Sequence, residues 1–276
     1  MPMTFKEKYG PYALLAGGAV GIGAAYAEFI ASQGVKLMII DRDAGMLNDC
    51  CQRLSEQYGV ECLPIVADLA SDSVLDEVIA AVAQREVGIL VYNAALADVG
   101  PFYKVDLGLD YELDKIRVNI VSPLALLYHF AKPMLRRGHG GIVLMSSGSG
   151  LQGSPYYSHY AATKAYNIVL GESLWWEFKP YNVDVLTCVA GMTLSPGVAG
   201  AVERGEGQHA VYQTPDEVVA EAMEMLGKVP SYSTGSHNRE NQELLKALPR
   251  EHAVAAIAQH AIDNFMEGSV PPQALD

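Results

Sequence analysis

Tyr160 and Lys164 stand four residues apart, so on a helix they share one face, a turn from each other. Thirteen residues before Tyr160 comes Ser147, just past the apolar run Ile142 to Met145, which reads as a short buried strand. These residue types suit proton transfer at an oxygen. A phenol titrates near about 10 in water, too high for a good base at neutral pH, and an ammonium one turn away favours the phenolate. Tyr160 would then exchange a proton with a substrate alcohol or carbonyl while Ser147 holds the same oxygen. A tyrosine and a lysine at this spacing also occur as a core residue and a solvated one, so the weight comes from what precedes them.

The elements that would position these groups begin at the amino end. The apolar run Tyr12 to Ala16 ends at Gly17-Gly18-Ala19-Val20-Gly21-Ile22-Gly23, and Ala24 to Gln33 is rich in helix formers with Gly34 as a stop. Strand, glycine-rich turn and helix form the phosphate-binding arrangement of a dinucleotide fold, in which glycines admit the pyrophosphate and the helix N-terminus attracts it. The next strand, Val35 to Ile40, ends at Asp41, eighteen residues after Gly23. An acidic side chain there accepts from both ribose hydroxyls of NAD and repels the 2′-phosphate of NADP. Arg42 follows and could stack on adenine or tolerate a phosphate, so NAD is the expected cofactor with NADP as the alternative. As a plain turn residue, Asp41 would also suit the loop Asp41 to Gly45.

The pattern then repeats. A helix is expected from Ala44 to Tyr58, a strand from Cys62 to Ala67, and Asp68 would bond the adenine amino group or cap the following helix. Ser71 to Gln84 reads as helix, Gly88 to Tyr92 as strand, and Asp110 to Leu135 as one helix carrying Asn119 and kinked at Pro123. Met145 closes a fifth strand and Val183 to Val189 makes a sixth. Alternation of this kind implies a single α/β domain over residues 1–276, a doubly wound parallel sheet of Rossmann type with helices on both faces. Ligands of such sheets sit beyond the carboxyl ends of the strands, where each singled-out residue falls.

Half the 276 residues are hydrophobic and 18% charged, which fits a well-buried globular chain. The net charge of −13 argues against nucleic acid and anionic membrane surfaces as partners. Cys50, Cys51, Cys62 and Cys188 include no C-x-x-C pair and read as reduced thiols of a cytoplasmic protein without a metal site. The run Tyr9 to Ala27 carries no charge over nineteen residues, but five of them are glycine and Pro11 interrupts it, so it reads as neither signal peptide nor anchor.

On these residues the chain resembles the short-chain dehydrogenase/reductases over about residues 10 to 200. Gly17 to Gly23 is similar to the family's T-G-x-x-x-G-x-G turn, Asp68 and Leu69 fall at the adenine position, and Asn93-Ala94 at the motif after strand four. Asn119 falls at the helix-four asparagine, and Ser147, Tyr160 and Lys164 at the catalytic serine, tyrosine and lysine. Gly191, Thr193 and Ser195-Pro196 resemble the stretch beside the nicotinamide. The resemblance implies that Tyr160 is the acid/base, that Ser147 polarises the substrate oxygen, and that Lys164 lowers the tyrosine pKa and holds the nicotinamide ribose. Asn119 would support a water-linked proton path, and Val20, Gly21, Ile22 and Gly23 would line the pyrophosphate. Four positions depart from the pattern: Ala16 stands for threonine, Tyr92 and Ala95 replace the outer residues of N-N-A-G, and Ala190 replaces proline. Altered bracing under the cofactor is expected, with no catalytic group missing.

Within that family the opening Lys6 to Gly10, the turn lacking threonine and the tail around Asn238 resemble bacterial hydroxysteroid dehydrogenases of the bile-acid 7β type. Those enzymes usually use NADP and carry glycine-arginine where this chain has Asp41-Arg42. Residues 192–214 would form a substrate lid and residues 236–276 a helical extension. Leu96, Leu151, Tyr157 and Met192 would line an apolar pocket, with Val99, Tyr156 and Val198 near them. His159 lies on a different helix face from Tyr160 and is expected to be non-catalytic. Trp175 and Trp176, read on the helix after the catalytic one, suit a homodimer or homotetramer interface or plain core packing. The expected activity interconverts a bulky apolar secondary alcohol and its ketone; the alternatives are an NADPH-dependent carbonyl or oxoacyl reductase and a non-catalytic NAD-binding sensor.

Overall fold

The computed structural model describes residues 3–104, 107–203, 207, 210–266, 268–270 and 272–275. Seven strands, β1 (Tyr12–Ala16), β2 (Lys36–Asp41), β3 (Cys62–Val66), β4 (Val87–Tyr92), β5 (Gly140–Ser147), β6 (Val183–Ala190) and β7 (Ser231–Ser233), form one sheet ordered β3-β2-β1-β4-β5-β6-β7. Every pairing is parallel. Parallel neighbours need crossovers, and helices supply them. These are α2 (Gly21–Ser32), α3 (Ala44–Tyr58), α4 (Val74–Val82), α5 (Leu109–Ile116) with α6 (Ser122–Arg137), α7 (Ser158–Phe178) and, before β7, α8 (Pro196–Glu203) with α9 (Pro215–Met225). A short helix α1 (Phe5–Tyr9) precedes the sheet, and α10 (Ser236–Ala247) and α11 (Arg250–Phe265) follow it.

Both faces of the sheet are covered. On one face Leu15, Leu37 and Ile39 pack with Tyr26 and Ile30 of α2, Leu47 and Leu54 of α3, and Val218 and Ala222 of α9. On the other, Leu14, Met38, Leu90 and Leu144 meet Val78 of α4 and Leu126, Phe130 and Met134 of α6. Burial on both faces is why the central strands read as unbroken apolar runs. The chain is therefore a doubly wound Rossmann-type domain. Its strand order reverses between β1 and β4, and the crevice beyond their carboxyl ends is where such sheets hold a ligand.

Several sequence expectations need correction. The seventh strand is absent from the pattern because Ser231-Tyr232-Ser233 is short and only partly buried. The expected helix 110–135 is two helices joined by a π-helical segment, Arg117–Val121, which carries Asn119. Pro123 stands at the second position of α6, directly after that segment. Trp175 and Trp176 belong to α7 itself, the helix of Tyr160, because that helix runs on through Phe178. The tail is broken into α10 and α11 by Pro249, which cannot continue a helix. Thr214 does cap α9, in a reciprocal pair with Glu217 and with Pro215 opening the helix. Of the expected lid, residues 204–206 and 208–209 lie outside the described residues, as do 267, 271 and 276 of the extension.

Candidate active site

The glycine turn after β1 leaves a cradle. Gly17 has φ +75, and a Cβ there would stand 2.7 Å from Ala94. A Cβ on Gly23 would collide with the carbonyl of Gly17, so the start of α2 closes tightly on the turn. Val20 at the N-cap of α2 contributes no side-chain bond, which leaves the first N–H groups of the helix free to face an anion. The crevice beside this turn is lined by Gly17, Val20, Gly21, Ile22, Asp41, Arg42, Asp68, Leu69, Asn93, Ala94, Leu96 and Ser195. Ala95, noted above as a departure from the family motif, lines it too, as do Ala67 and Val118, which went unnoticed because plain apolar residues carry no chemical signal.

Bracing under this crevice runs through main chain. In the absence of a threonine hydroxyl, the carbonyl of Ala16 accepts from Asn93 N and Ala94 N at 3.0 and 2.9 Å. Asn93 Nδ2 donates to Gly17 O at 2.8 Å, and the Tyr92 hydroxyl ties to Val118 O at 2.6 Å. Asp41 closes β2 with one carboxylate oxygen 3.3 Å from Ala19 N and the other 3.3 Å from Asp43 N. Arg42 beside it is exposed. Asp68 is exposed, its Oδ1 accepting from Ala70 N at 2.9 Å, while α4 begins later, after Ser73. Of the two roles expected for Asp68, the helix cap is not met because Ser73 holds that position, and the carboxylate stands at the crevice wall.

β5 delivers Ser147 at its last position, and α7 brings back Tyr160 and Lys164. Lys164 is 3% exposed, and its Nζ donates to Met145 O at 2.9 Å and lies 5.6 Å from the centroid of the Tyr160 ring. Ser146 Oγ returns a bond to Lys164 O at 2.8 Å, so strand and helix are locked at the level of the lysine. Ser147 Oγ accepts from Ser149 N and Ser149 Oγ at 3.3 and 3.1 Å. Burial pushes the Tyr160 phenol up, and the Ser147 hydroxyl partly offsets this. Burial also pulls Lys164 down, to about 8. In both groups desolvation is the largest influence, and it disfavours the charged form of each.

Asn119 is fully buried, with its amide engaged by Leu96 N, Leu96 O and Thr163 Oγ1 at 2.8 to 3.0 Å. Its carbonyl accepts from Asn167 Nδ2 at 3.2 Å. The side chain thus braces the segment after β4. Among the expected pocket residues, Tyr157 packs edge-on against Phe265 with centroids 6.1 Å apart, and burial with Tyr160 and Tyr212 nearby raises its phenol. Met192 O accepts from Gln213 N at 2.9 Å, Thr193 is buried, and Gly191 backs onto the Asn238 side chain. Leu151 stands apart, in a groove with Arg250 and Val254 between α7 and α11.

A parallel nucleotide-type fold with serine, tyrosine and lysine gathered at the end of β5 defines a class, the dinucleotide-dependent oxidoreductases. The family model described as short chain dehydrogenase matches residues 11–205, and the chain belongs to that family. It is 30% identical over 240 residues to a 7beta-hydroxysteroid dehydrogenase of Mediterraneibacter gnavus, covering 86% of this chain and 90% of that one. The counterpart from Collinsella aerofaciens is 31% identical over 248 residues, covering 89% and 94%. A solved 7beta-hydroxysteroid dehydrogenase structure superposes with a TM-score of 0.87 at 29% identity, covering 92% and 99%. The protein is an NAD(P)-dependent oxidoreductase related to hydroxysteroid dehydrogenases.

Proposed function

We propose that the protein is an NAD-dependent dehydrogenase that interconverts a secondary alcohol and a ketone on a bulky apolar substrate, of which a hydroxysteroid is the favoured class. The observation that carries this reading is the joining of Ser147, Tyr160 and Lys164 beside the crevice that Gly17, Gly23 and Asp41 shape. The cradle that a Cβ would fill fits a pyrophosphate, Asp41 is the acceptor for ribose hydroxyls, and Asn93, Ala94, Gly191, Thr193 and Ser195 flank the remainder. When bound, the nicotinamide supplies or takes the hydride. The chain's own part is proton handling: Tyr160 exchanges the proton at the substrate oxygen, Ser147 orients that oxygen, and Lys164 supports the phenolate and the ribose. Leu96, Tyr157 and Met192 give the substrate side its apolar lining.

The steroid preference draws support from the related dehydrogenases, and the NAD preference from Asp41. Four free thiols favour a reducing cytoplasm, and among the described residues no helix is long and apolar enough to cross a membrane. A homodimer or homotetramer is supported by apolar side chains left exposed on the π-helical segment, α6 and α7, namely Val121, Leu124, Tyr128, Val169 and Trp176. The test is NADH formation from a panel of hydroxysteroids and bulky secondary alcohols, repeated with NADP. Turnover of a steroid with NAD is the expected result. Turnover with NADP alone would overturn the cofactor assignment, and activity confined to other alcohols would overturn the steroid.

A further inference from the structure

Five charged or titratable side chains meet beside Tyr160. Lys115 of α5 is 1% exposed, and its ammonium is shared by Asp98 and by Glu112, the latter at 3.0 Å. Asp98 also pairs with Lys104, and Glu112 also holds Nδ1 of His159, the second residue of α7. Two lysines face two carboxylates, so no cation is left over for an anionic ligand. The cluster joins protein to protein.

What it joins is specific. Asp98 and Lys104 lie on the segment after β4, Glu112 and Lys115 on α5, and His159 stands next to Tyr160. These residues share one small cavity of about 10 Å³ with Tyr157 and Tyr160. The entry to α7 needs outside support, because Tyr157 at its N-cap makes no side-chain bond to the first turn. Tyr156 just before it sits at φ +67, a conformation that costs a non-glycine residue energy. Gly100 N donates to Tyr156 O at 2.9 Å, the Tyr111 hydroxyl to Ala97 O at 3.3 Å, and Asn119 clamps Leu96.

We propose that Lys115, Glu112 and His159 form a buried ionic tie that sets the height of Tyr160 and fixes the 96–104 segment as a rigid wall of the substrate side. They are positioning residues, with Lys115 as hub, and the catalytic part of this proposal rests on the role given to Tyr160 above. A tyrosine displaced by about 1 Å loses on the order of a hundredfold in rate, so such a tie governs turnover without touching substrate.

The experiment compares Glu112→Gln, His159→Ala and His159→Gln with the wild type in NADH-binding stoichiometry, steady-state turnover and amide hydrogen exchange. Glu112→Gln and His159→Ala are expected to keep full NADH stoichiometry, lower kcat tenfold to a hundredfold, and speed exchange in residues 154–160. His159→Gln, which retains a donor for Glu112, should recover part of the rate. A folded Glu112→Gln with kcat within twofold of wild type overturns the positioning role, as does loss of rate accompanied by loss of NADH sites. Exchange decides the tie by itself: unchanged protection at 154–160 overturns it even if no substrate panel shows turnover. Silence of the wild type on every alcohol would count against the proposed reaction only.

Discussion

Burial disfavours the charged forms of both Tyr160 and Lys164, and this has measurable consequences at the scale of single residues. Tyr160→Phe is expected to cut turnover at least a thousandfold while NADH binding stays within a few-fold, as fluorescence titration would show. The Lys164 ammonium is pulled from 10.5 to about 8 by burial, so between those values the native chain holds fewer protons than the unfolded chain. Stability therefore rises with pH from about 8 to 10.5 as far as this group is concerned. The melting temperature of the wild type relative to Lys164→Met should climb across that window, and a flat difference would refute the burial argument. Asp41→Asn removes the charge that repels a 2′-phosphate, and the ratio of kcat/KM for NAD over NADP should fall at least tenfold. These groups were legible in the sequence because their types and spacing are chemical. The ionic tie was not, since Asp98, Glu112, Lys115 and His159 fall on three segments with no common period.

Among the elements, the stretch from α5 through the π-helical segment to α6 shows how a single residue links layers. The wider turn places Asn119 so that its side chain closes on both main-chain groups of Leu96. Asn119→Ala leaves these half-buried groups without their partner, a loss of about 1–2 kcal/mol, and should lower the melting temperature by a few degrees in a calorimetric scan. A π segment carries no compositional mark, which is why the sequence suggested a proline kink instead. The tail is the second such element. Phe265 meets Tyr157, Gly207 N donates to Asn264 O at 2.6 Å, and Tyr103 exchanges bonds with Gln273 and Ala274 at 3.0 and 3.1 Å. Phe265→Ala is expected to raise KM for a bulky alcohol several-fold and leave NADH affinity unchanged. An equal effect on a small alcohol would argue for general loosening.

For the whole molecule, the six longer strands were readable because a parallel sheet covered on both faces demands continuous apolar runs, as Val87 to Tyr92 displays. β7 escaped notice for the opposite reason, being three half-buried residues at a sheet edge. Helix limits differed where tertiary contacts or a proline override local preference, as at α4 and at Pro249.

The strand order also sets a timetable. β1 pairs with β4, Tyr12 opposite Val87, so the centre of the sheet joins parts of the chain separated by two complete strand–helix units. During synthesis the inner edge of β1 must wait until β4 has left the ribosome, and long-range parallel pairing of this kind is slow. The wall contacts made by Phe265, Gln273 and Ala274 come from residues still inside the exit tunnel when the sheet is otherwise complete. A nascent chain should therefore gain its nucleotide crevice before the cover over its proposed substrate side.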